Sequence, residues 1–145
     1  EVKMPNATKR TILEQGRAAF AFECADKAKA TLKGKAKEYK AYVKKMPMLI
    51  KTNGLGAAMA FAFAKGSKGG IPDEQTAWGL LYIHLEKWIK QDEKELITFD
   101  EHRMVAQLLK EPSTTYRAVT VETMAFLGWL RRFADGLIAG EGDDV

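Results

Sequence analysis

The chain has 145 residues, nearly half of them hydrophobic, a net charge of +4 and one cysteine. That length fits one domain with a core of its own, and a single cysteine excludes an intrachain disulfide and fits a reducing compartment. No stretch reaches the ~18 continuous apolar residues of a membrane span, and the opening EVKMPNATKR has no apolar segment of signal-peptide type, so a cytoplasmic protein with no membrane partner is expected.

Glu1 to Thr8 reads as a disordered arm. Thr11-Ile12-Leu13-Glu14 has the spacing of a capping box, although the helix can begin a turn earlier. From Ala18 the positions Phe22, Ala25, Leu32, Ala36, Tyr39, Val43 and Met46 follow steps of three and four, with Lys29 filling the gap, which predicts one face of a helix. Gly34 costs ~1 kcal/mol inside a helix, which predicts either two helices with a break near Leu32 to Lys35 or one long helix with a weak point there. The opposite face carries Lys27, Lys33, Lys37, Lys40 and Lys44 with few acidic partners. This is either a solvated face or a surface that meets phosphates.

Met46 to Lys65, MPMLIKTNGLGAAMAFAFAK, breaks and restarts regular structure within twenty residues. Pro47 lacks an amide donor, so a helix arriving there is expected to kink or restart. Asn53 and Gly54 supply a C-cap with positive φ. Ala57 to Ala64 is small and apolar on nearly every side, which predicts a buried central helix. Gly66-Ser67-Lys68-Gly69-Gly70 reads as a flexible connector. Pro72 reads as the start of a helix reaching about Gln91, with Trp78 and Trp88 as core or interface anchors. Gln91 to Glu95 is a polar loop, and Asp100 is expected to cap a short helix from Glu101 to about Lys110. Pro112 and Ser113 start a long amphipathic helix whose face is Tyr116, Thr120, Thr123, Leu127, Leu130, Ala134 and Leu137. Residues 140–145 form an acidic tail, expected to be disordered. No strand pattern competes, so the expected fold is an all-α, single-domain helical bundle of about five to seven helices spanning 1–145.

Three segments in order then carry a resemblance: LEQGRAAFAFECADKAK (Leu13 to Lys29), KKMPMLIKTNGLGAAMAFAFAK (Lys44 to Lys65) and TTYRAVTVETMAFLGWLRRFADGLI (Thr114 to Ile138). Together they resemble the small subunit of the type III-B CRISPR effector, the Cmr complex. The resemblance implies a non-catalytic subunit in antiviral defence. Its copies would stack head to tail beside other Cmr subunits and contact the region of crRNA and target RNA. Cleavage would belong to other subunits.

A search for chemistry agrees with that expectation. Gly54-Leu55-Gly56 lacks the third glycine and the preceding strand of a dinucleotide site. His84 and His102 are not in HExxH spacing; His84 reads as a partly buried polar residue, and Asp100-Glu101-His102 is better explained as a helix cap than as a metal site. Cys24, beside Glu23 and Asp26, reads as a small core residue, because nearby carboxylates oppose a reactive thiolate. Neither an enzyme, a metal nor a cofactor is expected.

The basic residues are what remains. Lys44, Lys45 and Lys51 flank the central break and rank first as RNA contacts, with Arg17, Lys40, Arg117, Arg131 and Arg132 as further candidates. Arg117 follows Tyr116, and Arg131-Arg132 follows Trp129, so each sets a guanidinium near an aromatic ring. For Arg132 an ion pair with Asp135 or Glu122 is the alternative. The charge is uneven along the chain. Residues 1–70 carry 15 basic and 5 acidic residues, residues 71–145 carry 8 and 14. Either the halves pair between copies in a repeated assembly, or sequence halves do not correspond to spatial halves. A scaffold without direct RNA contact is the second functional reading. A membrane-surface role would need an exposed apolar stripe on the first helix, which is better explained as core.

Overall fold

The computed structural model describes residues 6–91 and 95–140. The helices run α1 Asn6–Leu32, α2 Ala36–Asn53, α3 Leu55–Gly66, α4 Ala77–Gln91, α5 Met104–Leu108 and α6 Ser113–Leu137. The all-α bundle expected from periodicity is what these residues form, apart from one two-stranded hairpin. Residues 1–5 of the expected arm, the tail beyond Gly140 and residues 92–94 of the polar loop lie outside the described residues. Asn6 to Thr8, expected in the arm, belong to α1.

The break at Gly34 is a single 3-10 turn, Lys33–Lys35, with Lys33 at φ 51°. It folds α2 back toward the bundle. The buried face of α1 is Ala21, Cys24, Ala25, Ala28 and Leu32. That differs from the expected register, since Phe22 is 44% exposed and Lys29 faces solvent. An alanine-rich helix offers little to fix its rotation, and its partners decided it. Phe22 instead lies edge-on against Phe133 at the rim, with ring centres 5.4 Å apart.

Pro47 does not restart the chain. α2 continues through it to Asn53. Proline deletes one backbone hydrogen bond and crowds the preceding turn, but Val43, Met46 and Ile50 around it are all buried, and tertiary packing holds the helix. Its end is the expected glycine cap. Gly54 sits at φ 92°, ψ 158° and donates its N–H to Ile50 at 2.8 Å. That backbone is open to glycine and strained for any residue with a Cβ.

The connector after α3 is a hairpin rather than a flexible loop. β1 (Ser67–Lys68) pairs antiparallel with β2 (Ile71–Pro72). Gly69 and Gly70, at φ 61° and 83°, form a two-residue turn in which both positions have positive φ. Pro72 therefore ends a strand, and α4 begins five residues later, where the Thr76 hydroxyl accepts the Gly79 N–H at 3.0 Å. α3 and α4 cross at a glycine pair. A Cβ on Gly66 would come within 2.1 Å of the Gly79 nitrogen.

The central helix is α4, not α3. Trp78, Leu80, Leu81, Tyr82, Leu85, Trp88 and Ile89 of α4 are buried, whereas Ala57, Ala60, Phe61 and Ala64 leave one side of α3 open. Burial energy scales with apolar area, ~25 cal/mol per Å². The helix with large side chains all round takes the centre, and the one made of alanines covers it. α5 is shorter than expected, and its cap is Glu86 rather than the Asp100 side chain. The Glu86 carboxylate accepts the N–H groups of His102 at 2.8 Å and Met104 at 3.2 Å, and the Tyr82 hydroxyl at 2.9 Å.

Candidate nucleic-acid interface

α2 and α6 run antiparallel along one side of the bundle. At one end the Lys40 ammonium donates to the Ile138 carbonyl at 2.8 Å, and Lys44 lies 3.4 Å from Asp135. At the other end the Tyr116 hydroxyl accepts the Gly56 N–H at 2.7 Å. Positions seven apart on a helix lie two turns apart on one stripe. Lys37, Lys44 and Lys51 make such a stripe on α2, and Arg117, Met124 and Arg131 make one on α6. The Lys44–Asp135 and Lys40–Ile138 contacts set these stripes beside each other. The result is a seam of ammonium and guanidinium groups with Asp135 as the carboxylate that meets it.

The candidate residues separate into three groups. Lys44, Lys51, Arg117 and Arg131 border the seam. Lys51, Arg117 and Arg131 are exposed, and no described carboxylate pairs with them. Lys45 is exposed on the outer side of α2 beside Met48, whose side chain is 64% exposed. Arg132 turns toward α1. Its guanidinium sits 5.6 Å from the Trp129 ring centre, and the Trp129 N–H donates to Glu14 at 2.7 Å. The ion pair considered for Arg132 does not form, because Asp135 faces Lys44 and Glu122 is buried beneath Arg17.

Arg17 and Lys40 serve the fold instead. Arg17 grips the fully buried Glu122 with two N–H donors, both at 2.8 Å. Trp88 donates a third hydrogen bond to that carboxylate at 2.9 Å, so one group ties α1, α4 and α6. The hydrogen bonds to Glu122 hold the Arg17 guanidinium charged even more firmly than usual. Lys40 is 5% exposed; its stem crosses the core edge and its head ends on a backbone carbonyl. Periodicity sets Lys40 on the basic face opposite the apolar stripe, and its burial against the Ile138 carbonyl corrects that placement. Lys37 is the seam residue that the candidate set lacked. The spacing 37/44/51 was the available signal, and it points to one surface only once α6 is known to lie alongside.

The other polar residues are structural. Cys24 is buried, and burial, with a smaller contribution from Glu23, pushes its thiol well above the ordinary range. His102 lies against Glu86, its Nδ1 3.3 Å from the carboxylate. Among the described residues no helix is long and apolar enough to cross a membrane.

The family model described as "CRISPR-associated protein (Cas_Cmr5)" matches residues 13–137, which contain all of α2 to α6 and the seam between α2 and α6. Membership implies other subunits of the Cmr complex as partners. The chain therefore belongs to the Cmr5 family of CRISPR-associated proteins, the small subunits of the type III-B Cmr complex.

Proposed function

We propose that the protein is a non-catalytic subunit of the cytoplasmic Cmr effector in antiviral defence, and that the α2–α6 seam follows the phosphate backbone of the crRNA–target RNA region. The observation that carries this is the pair of basic stripes meeting one exposed acid. Lysine and arginine neutralise phosphates without reading bases, which suits a subunit whose sequence specificity lies in the guide. Copies would stack head to tail beside the other subunits, extending the seam along the RNA.

The test is fluorescence anisotropy of the purified protein with single-stranded and duplex RNA at two salt concentrations. The comparison is with a Lys44→Glu/Lys45→Glu/Lys51→Glu variant. The expected result is salt-sensitive, sequence-independent binding that the variant weakens, its far-UV circular dichroism being unchanged. An unchanged binding curve in a folded variant rules the seam out.

A second reading, a scaffold without direct RNA contact, is favoured by the open apolar side of α3, where Phe61 is 40% exposed. Absence of RNA binding by the wild-type protein at physiological salt selects it.

A further inference from the structure

Between α1 and α4 lies a cleft of about 150 Å³, lined by Phe20, Glu23, Cys24, Lys27, His84 and Lys87. It is on a different pair of helices from the α2–α6 seam and plays no part in the function proposed above. We infer that this cleft binds a single phosphate-type oxyanion, held by the ammonium groups of Lys27 and Lys87 and by the Nε2–H of His84.

His84 supplies the directional element. It is 4% exposed, and its Nδ1 lies 2.7 Å from the Tyr39 hydroxyl. Tyr39 is fully buried, and its hydroxyl has no other hydrogen bond to a described residue. A buried O–H left without an acceptor is costly, so the hydroxyl donates to Nδ1. That fixes the tautomer, because a neutral imidazole with Nδ1 accepting carries its proton on Nε2. No hydrogen bond joins Nε2 to a described residue. The ring in the cleft wall thus presents an N–H donor that no described residue engages.

The charges around it favour an anion. Lys27 and Lys87 are exposed at the mouth, and neither pairs with a described carboxylate. Glu23 is the single acid in the lining. Burial, then Lys87 and Lys27, lower the His84 pKa to about 3, so the ring is a neutral donor at pH 7 and both lysines lie close enough for their field to reach it. Cys24 stays a neutral thiol in the same wall. Two ammonium groups and one N–H offer donors to the three acceptor oxygens of a phosphate group, one more than a carboxylate presents. The volume seats a phosphate group, and the cleft is open, so the rest of a larger ligand can lie outside it. The source of the phosphate is either free or terminal phosphate, or a phosphate of an RNA backbone.

The experiment is a ¹H–¹⁵N long-range NMR titration of the histidine rings in the full chain. It uses inorganic phosphate, sodium acetate at equal ionic strength, and a short RNA with and without a 5′-phosphate. A Lys27→Met/Lys87→Met variant is titrated in parallel. Both substitutions are at exposed positions, and folding is checked by the dispersion of the amide spectrum. The expected result is a saturable shift of His84 Nε2 with phosphate that the double variant loses. A shift with either RNA supports the site. If only the 5′-phosphorylated RNA acts, the source is a terminal phosphate, and if both act, it is the backbone. No shift with phosphate or RNA overturns the proposal, as does a phosphate shift that persists in the double variant. An equal response to acetate also overturns it and points to a carboxylate of a protein partner. Because inorganic phosphate is the primary probe, this result is separate from whether the α2–α6 seam binds RNA.

Discussion

Glu122 has no exposed surface, and Arg17 and Trp88 give its carboxylate three donors. A buried carboxylate is tolerated only when paired and hydrogen-bonded. Glu122→Gln leaves the shape and removes the charge that Arg17 grips, and we expect a loss of about 3 kcal/mol in urea unfolding, since breaking a buried pair strands its partner. A loss below about 1 kcal/mol would mean that solvent reaches Arg17 well enough to replace the carboxylate. His84 sets a different constraint. Its folded pKa of about 3 lies below the ordinary 6.5, so the unfolded chain binds a proton that the folded one refuses. Stability from this group is therefore full above about pH 6.5 and falls as the pH drops toward 3, by roughly 3 kcal/mol at about pH 4. Chemical denaturation of wild type and His84→Gln across that range checks the sign: the variant should lose stability less steeply with acid.

Elements of this bundle are positioned by a few backbone decisions. Two are glycines. The α3–α4 crossing needs Gly66 and Gly79, since a Cβ on Gly79 would lie 2.1 Å from the Asp73 carbonyl oxygen and 2.6 Å from that of Gly66. Overpacking against movable side chains costs ~1–3 kcal/mol, and here the obstacles are backbone atoms, so Gly79→Ala should cost about 3 kcal/mol or more. Gly128 is the internal control. It lies within α6 with open space around an added Cβ, and Gly128→Ala should stabilise by ~0.5–1 kcal/mol through helix propensity. Thermal unfolding of the two variants should move in opposite directions. The third decision is Pro47, whose local penalty the packing of Val43, Met46 and Ile50 outweighs. Breaker rules weigh only the chain near the breaker, so this outcome was outside their reach.

At the scale of the molecule, the basic and acidic halves of the sequence interleave. Arg17 holds Glu122, Lys44 meets Asp135, and the Lys35 ammonium reaches the Gln75 carbonyl at 3.2 Å. Sequence halves are thus not spatial halves, and the basic surface is a seam to which both contribute. If that seam follows RNA, each lysine removed from it should reduce the salt-dependence slope by ~0.7–0.9. The triple charge-reversal variant, which removes Lys44 and Lys51 from the seam, should therefore show a flatter dependence as well as a weaker affinity in the anisotropy titration. A parallel downward shift with the slope intact would mean that the three lysines act on structure rather than on phosphates.

The sequence by itself determined the helical class, the weak point at Gly34, the glycine cap at Gly54, the start of α6 at Ser113 and the family, because each rests on local chain chemistry or on an ordered set of matching segments. Only the tertiary structure decided which helix lies at the centre, which way the alanine-rich α1 rotates, and that Arg17 and Lys40 serve the fold while Lys37 joins the seam. Those outcomes depend on partners distant in sequence: a lysine has the same pattern value whether a carbonyl, a carboxylate or water stands opposite it, and only the packing of α6 against α1 and α2 supplies that neighbour.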